Sequence, residues 1–263
     1  MPSRLALRLA YDGTRFFGFQ RQPGKRTVEG ELLSALTDIG AIADSRTAHY
    51  RSSSRTDRGV SAICNIASVD TEFEPGRLPL ATNAHMDDVW CTGVVELSDT
   101  FDVRMAKSRT YVCFLLYDGQ DIRSMKAAAK AFVGTHDFSR YARIDKRDPV
   151  RTIHLLDVSA DDELITFRIR GDSFLWNQAR RIVWALDQVG KGKAEPEELS
   201  PGNYPLNRIG LVRPERLVLE SIDIGHEFLP ANRGGNLLET MRRRLVSSHT
   251  DLFFARTILS SLE

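Results

Sequence analysis

The chain has 263 residues, at the upper end of what a single hydrophobic core supports, so it forms one large domain or two modest ones. Its 42% hydrophobic and 27% charged residues are ordinary for a soluble globular protein, and no apolar run approaches the roughly 18 residues that span a bilayer. The net charge of +1 hides an uneven distribution: residues 1–60 carry ten Lys and Arg against six Asp and Glu, residues 61–100 one against seven, and residues 101–181 fifteen against eleven.

Two basic segments with an acidic stretch between them suit a polyanionic partner, although ordinary surface scatter produces such patterns too. Arginines interrupt the N-terminal MPSRLALRLAYDG, which therefore lacks the core of an export signal, and a cytoplasmic location is expected. Cys64, Cys91 and Cys113 stand far apart in apolar segments, with no CxxC pair. Free thiols in a reducing compartment are the expected state.

Leu5–Tyr11 alternates, with Leu5, Leu7, Leu9 and Tyr11 on one face and Ala6, Arg8 and Ala10 on a wetter one, which predicts a strand. Asp12–Thr14 is a turn signal, and residues 15–26 interleave three Phe, two Gln and four cations. Val28, Leu32, Leu36 and Ile39 then recur at helical spacing, with Thr27 as cap and Gly40 as stop. Strands are predicted at Ile63–Val69 and Val89–Leu97, with room for a short helix between them. The boundary between two halves is placed near residues 98–105, giving an N-terminal half over 1–100 and a C-terminal half over 101–263. Arg109–Tyr117 reads as a buried strand and Asp121–Val133 as an Ala-rich helix. Arg151–Val158 and Leu164–Arg170 flank a turn as a hairpin, with Ile165, Phe167 and Ile169 inward. A helix is expected from about Ser173 to Val189, a strand over Arg216–Ile224, and a tail from about 229 that is helical from Gly235 and carries Arg242, Arg243 and Arg244.

P-loop, GxGxxG, GxSxG and HExxH signatures are absent, and the six histidines never fall at metal-ligand spacing. Attention falls on Arg55-Thr56-Asp57-Arg58-Gly59-Val60-Ser61-Ala62. A carboxylate between two arginines should have its ionised form favoured, and an ionised, positioned carboxylate is a credible nucleophile. The same residues also describe a salt-bridged turn with Gly59 at positive φ, and local physics leaves both readings open. Tyr111 lies beside cations in KSRTY, and Arg180 lies near the apolar stripe of its helix, where a buried charge needs a carboxylate partner.

Tyr11-Asp12-Gly13-Thr14, Gly18-Phe19-Gln20-x-Gln22, Thr27-Val28-Glu29-Gly30-Glu31-Leu32, the RTDxGVxA element, Tyr111 and Phe174-Leu175-x-x-Gln178-x-Arg180 stand in one order. In that order the sequence resembles the tRNA pseudouridine synthase A family, and most closely its archaeal and eukaryotic branch, over roughly residues 4 to 225. The resemblance implies an α+β fold of two ferredoxin-like halves sharing a mainly antiparallel central sheet, with a basic cleft between them. It implies isomerisation of uridine to pseudouridine in the anticodon arm of tRNA, at positions 38, 39 or 40, by a homodimer using no metal and no organic cofactor. Asp57 matches the family's nucleophile and Tyr111 the tyrosine that stacks on the target base. Arg180 matches the arginine that pairs with the carboxylate, and Arg55 the one associated with extrusion of the nucleotide. Phe19, Ser61 and Trp184 depart from the residues usual at their positions, and Val112 and Cys113 replace a frequent basic-aromatic pair.

Two other readings compete. A catalytically idle RNA-binding module would keep the cleft without turnover, but binding alone does not require the carboxylate. A glycosidic hydrolase would need a second carboxyl group flanking the bond. Neither Asp12 nor Asp102 has motif support for that role.

Overall fold

A computed structural model describes residues 2–143, 148–202, 209–231 and 236–262. The strands are β1 (Ser3–Tyr11), β2 (Arg51–Ser52), β3 (Ser61–Thr71), β4 (Val89–Leu97), β5 (Ser108–Leu116), β6 (Gly134–Asp137), β7 (Val150–Ala160), β8 (Leu164–Gly171), β9 (Leu217–Asp223) and β10 (Leu229–Pro230). The α-helices are α1 (Val28–Asp38), α2 (Leu78–Asn83), α3 (Ile122–Ala129), α4 (Gln178–Gly190) and α5 (Asn236–Leu262).

All ten strands join one sheet in the order β10-β4-β1-β3-β9-β5-β8-β7-β6, with β2 also paired to β3. Within it β1-α1-β2-β3-α2-β4 gives the spatial order β4-β1-β3-β2, and β5-α3-β7-β8-α4-β9 repeats it as β9-β5-β8-β7. Each is the split βαβ arrangement of a ferredoxin-like unit. The sheet is antiparallel except where the units meet, at Ser61 opposite Val218 and Ala62 opposite Leu219. One edge of β3 is thereby divided. Its C-terminal part takes β2 at Ala67 and Ser68, and its N-terminal end takes β9.

The helices form because their termini and periods agree. The Thr27 hydroxyl accepts the Gly30 N–H at 3.3 Å, Glu29 and Glu31 occupy the first turn, and Val28, Leu32 and Leu36 are buried. The layer beneath is the Leu5, Leu7, Leu9 face of β1, and a single cluster of buried side chains continues into Phe167, Ile169, Ile182 and Leu186 of the other unit. Each such side chain contributes roughly 1.5–3 kcal/mol on full burial. The three cysteines are free thiols, two of them buried.

Several elements differ from expectation for local reasons. The helix α3 stops at Ala129, where Lys130–Phe132 tighten into a 3₁₀ turn that sends Phe132 into the core against Tyr141, with ring centroids 5.2 Å apart. The strand β6 follows it, unforeseen. The helix α4 starts a turn late, because Asn177 is left-handed at φ 68° and Gln178 Oε1 accepts the Leu175 N–H at 2.8 Å, which makes residues 173–177 a turn. At 229 the chain is a short strand on β4, not yet helix. Gly235 lies outside the described residues. In the tail, Arg244 pairs with Asp12 and covers the Trp90 ring at 5.3 Å.

Gly13 sets the height of the loop before β3. A Cβ built there would lie 2.0 Å from the Val60 carbonyl oxygen, and the Gly13 carbonyl accepts the Gly59 N–H at 3.2 Å. Gly13→Ala should therefore cost about 1–3 kcal/mol, as overpacking of a close-packed site does. A urea-unfolding midpoint unchanged from wild type would contradict this account of the contact.

Candidate active site

Asp57 sits in the loop joining β2 to β3, at the seam between the two units. Nearly every residue of that loop is tied down. Ser53 N–H donates to Ile66 O at 2.8 Å, and Asn65 Nδ2 donates to Ser54 O at 2.9 Å. The Thr56 hydroxyl meets Tyr11 Oη at 2.8 Å, and Phe19 N–H donates to Thr56 O at 3.1 Å. Gly59, at φ +88°, lets Val60 N–H close back on Asp57 O at 3.1 Å. The YDGT turn and the Gly18-Phe19 loop thus act as supports of the loop rather than as surface features.

Across the seam, Ala62, Leu219 and Tyr111 occupy one lateral row of β3, β9 and β5. That row brings Tyr111 alongside the Asp57 loop, close enough for the carboxylate's charge to act on the phenol. Arg180, in the first turn of α4, completes the cluster. Its Nη1 donates to Asp57 Oδ2 at 3.3 Å and to Asn177 Oδ1 at 3.0 Å, and its Nε donates to Val212 O at 2.9 Å. The Arg180 side chain is 13% exposed and that of Asp57 29%, so the pair is only partly screened by solvent.

The electrostatics differ from the sequence expectation. Burial dominates and holds the Asp57 carboxyl above the usual aspartate range, while Arg180 and the Trp176 indole pull it back down. The flanking arginines contribute nothing to this balance. Arg58 covers the Phe17 ring at 4.4 Å, opposed by Lys25 at 4.8 Å, and Arg55 is exposed, with no hydrogen-bond or ion-pair partner among the described residues. Tyr111 is 8% exposed, edge-on to Phe174 at 5.1 Å, and burial pushes its phenol up to about 12. Arg8 and Arg168 are committed elsewhere, to Thr92 and to Glu220. Arg170 remains exposed.

The structure therefore brings Asp57, Tyr111 and Arg180 together and leaves Arg55 at the rim. Two residues escaped the sequence reading. Trp176, half exposed under the Arg143 guanidinium at 4.5 Å, lies in FLWNQ, a motif read only for its order. Arg109 lies in KSRTY, whose cations drew notice without an assignment.

A family model described as tRNA pseudouridine synthase matches residues 128–204, a stretch that includes Arg180 but not Asp57. The tRNA pseudouridine synthase A of Thermococcus onnurineus is 44% identical over 238 residues, 88% of this chain and 89% of its own. Those of Pyrococcus abyssi and Methanocorpusculum labreanum are 38% and 35% identical, covering 92% and 97% of this chain and 92% of each of their own. Among solved structures, a Cbf5-Nop10-Gar1 complex aligns at 12% identity and a TM-score of 0.33, over 70% of this chain and 54% of that one.

Because Arg180 lowers the carboxyl that burial raises, Arg180→Met should move the Asp57 titration further upward. A ¹³C carboxyl NMR titration checks the sign, and a downward or absent movement would remove Arg180 as the controlling charge.

Proposed function

The chain belongs to the tRNA pseudouridine synthase A family, and from that premise we propose that it isomerises uridine in the anticodon arm of tRNA with Asp57 as nucleophile. The observation that carries the assignment is the Asp57–Arg180 pair at 3.3 Å, placed where the two units meet and next to Tyr111. A half-buried carboxylate is poorly hydrated and so more reactive, and one adjacent guanidinium favours its ionised form and aims it.

The reaction rearranges one nucleoside without net change. The bond from N1 to the ribose breaks, the base turns, C5 bonds to the ribose carbon, and N1 gains a proton as C5 loses one. Asp57 supplies the electron pair that opens this sequence, at ribose or base. Arg180 steadies the carboxylate through each change in its charge. At neutral pH Tyr111 is an uncharged phenol, which suits a wall for the detached uracil better than a base for the C5 proton. Since Tyr111 is buried, an incoming base must displace the side chains that cover it.

A base inside a stem must leave the stack first, at a cost of a few kcal/mol that aromatic contact partly offsets. Exposed Arg55, beside the nucleophile, is suited to hold the space the nucleotide vacates, and exposed Arg58, Arg143 and Arg170 are suited to phosphate. On this reading residues 1–100 bring the nucleophile and residues 101–263 bring Tyr111 and Arg180. Positions 38, 39 or 40 as targets and a homodimer are carried from the family resemblance, and a cytoplasmic setting from the N-terminal sequence and the free thiols. Among the described residues no helix is long and apolar enough to cross a membrane.

Tritium release from tRNA labelled at uridine C5 tests the proposal. Wild type should release it, and tRNAs with single uridines at 38, 39 or 40 should show which positions qualify. Asp57→Asn should release none while binding tRNA within about threefold, since the carboxylate makes no phosphate contact. Free uracil in place of an isomerised RNA would mark a hydrolase. Binding without release by wild type would mark an idle RNA-binding module.

A further inference from the structure

Arg109 is 7% exposed, yet among the described residues no carboxylate lies within 4.0 Å of its guanidinium. Its hydrogen bonds go to neutral oxygens of three chain segments. Nη2 donates to Ser53 O at 3.1 Å and Ser53 Oγ at 3.3 Å, and Nε donates to Ser54 Oγ at 3.2 Å. Nη1 donates to Asp172 O at 2.6 Å. Nη2 also donates to Arg104 O at 3.0 Å, and Nη1 to Ala106 O at 3.4 Å.

Those segments are the ones the site is made from. Ser53 and Ser54 lead directly into Arg55-Thr56-Asp57. Asp172 leads into the turn that carries Trp176 and Asn177 and delivers Arg180. Arg104 and Ala106 belong to the connection between the two units, and Arg109 itself lies two residues before Tyr111. Asn65 of β3 holds the Ser54 carbonyl and Arg109 its hydroxyl, and that hydroxyl also acts on the Tyr111 phenol.

We infer that Arg109 is a positioning residue for the isomerisation: its planar fork fixes the nucleophile loop against the wall that carries Tyr111 and Arg180. The inference rests on the reading of Asp57 as the reactive carboxylate. A buried cation with no carboxylate in contact is costly, and here that cost is offset by hydrogen bonds to loop oxygens rather than by an ion pair. Five donors in one plane reach all three segments, whereas the compact ammonium of lysine cannot. The charge also bears on the phenol: Arg109 is the largest of the influences that pull Tyr111 downward against its burial.

The test compares Arg109→Lys, Arg109→Met and Ser54→Ala with wild type and Asp57→Asn, by thermal melting, tRNA affinity and single-turnover tritium release. Both Arg109 variants should lose about 10- to 100-fold in rate at saturating tRNA, as small misplacements of reacting groups do. Affinity should stay within about threefold, with both variants folded at the assay temperature. Lysine should not restore the rate, because charge without the fork does not position the loop. In Arg109→Met the Tyr111 titration should move further up, followed by ultraviolet absorbance. Wild-type rate in either folded Arg109 variant overturns the inference, and so does a rate loss matched by equal loss of binding. Ser54→Ala leaves the cation in place and should show the same split at about 3- to 10-fold. If the Arg109 variants do not fold, an unchanged rate in Ser54→Ala overturns the inference by itself. Turnover by Asp57→Asn would instead defeat the reading of the nucleophile. An inactive Asp57→Asn beside fully active Arg109 variants defeats the positioning role alone.

Discussion

Two residue pairs join the half-sheets, Ser61 with Val218 and Ala62 with Leu219, and they are the one parallel contact in the sheet. Every feature of the candidate site is measured from that short seam. The loop that ends at Ser61 carries Asp57, and the third strand counted from β3 carries Tyr111. Two register pairs make a short join between the units. Side chains also reach across it: Arg180 to Asp57 and Arg109 to Ser53 and Ser54, together with a hydrophobic core continuous through both units. The geometry of the candidate site and the geometry between the units are therefore the same problem in this protein.

The Asp57 environment shows a compromise. Exposed, the carboxylate would be easily ionised but well hydrated and weakly reactive. Fully buried and unpaired, it would be neutral. Part burial raises its proton affinity, and Arg180 and Trp176 act in the opposite sense. For stability the sign is the reverse of a salt-bridged surface aspartate. A folded-state value above the unfolded one means that this group favours folding below the unfolded value and loses that contribution as pH rises through the folded one. The fold thus disfavours the charge of the carboxyl it places at the seam, while Arg180 and Trp176 offset part of that cost, a common arrangement at functional sites.

Much of this was legible from local sequence because local physics fixed it. The Thr27 cap with the Val28, Leu32, Leu36 stripe specified α1, and the β4 strand lies where its apolar residues put it. Ile165, Phe167 and Ile169 point inward as their alternation requires. What escaped was non-local. Neighbours in sequence suggested that Arg55 and Arg58 would govern Asp57, but the governing arginine stands 123 residues away, and Arg58 found an aromatic ring instead. The start of α4 was missed because a left-handed Asn177 and a Gln178 side-chain bond replaced its first turn. Arg109 opens the segment read as a buried strand, but nothing in the sequence named the partners of its guanidinium. Family resemblance, not the local sequence, supplied the pairing of Arg180 with Asp57, and it did not predict the hydrogen bonds that hold the Asp57 loop.

The helix α5 is fastened to both units, at Arg244 by Asp12 and Trp90 and at Arg256 by Glu163. The two fastenings differ in kind. Arg256 and Glu163 are 55% and 41% exposed, so dissolved ions screen their attraction over a Debye length of about 8 Å at physiological ionic strength. Arg244 meets a sheltered carboxylate and an indole face, whose contributions salt weakens less. Rising ionic strength thus weakens the hold of Arg256 on Glu163 more than that of Arg244 on Asp12 and Trp90.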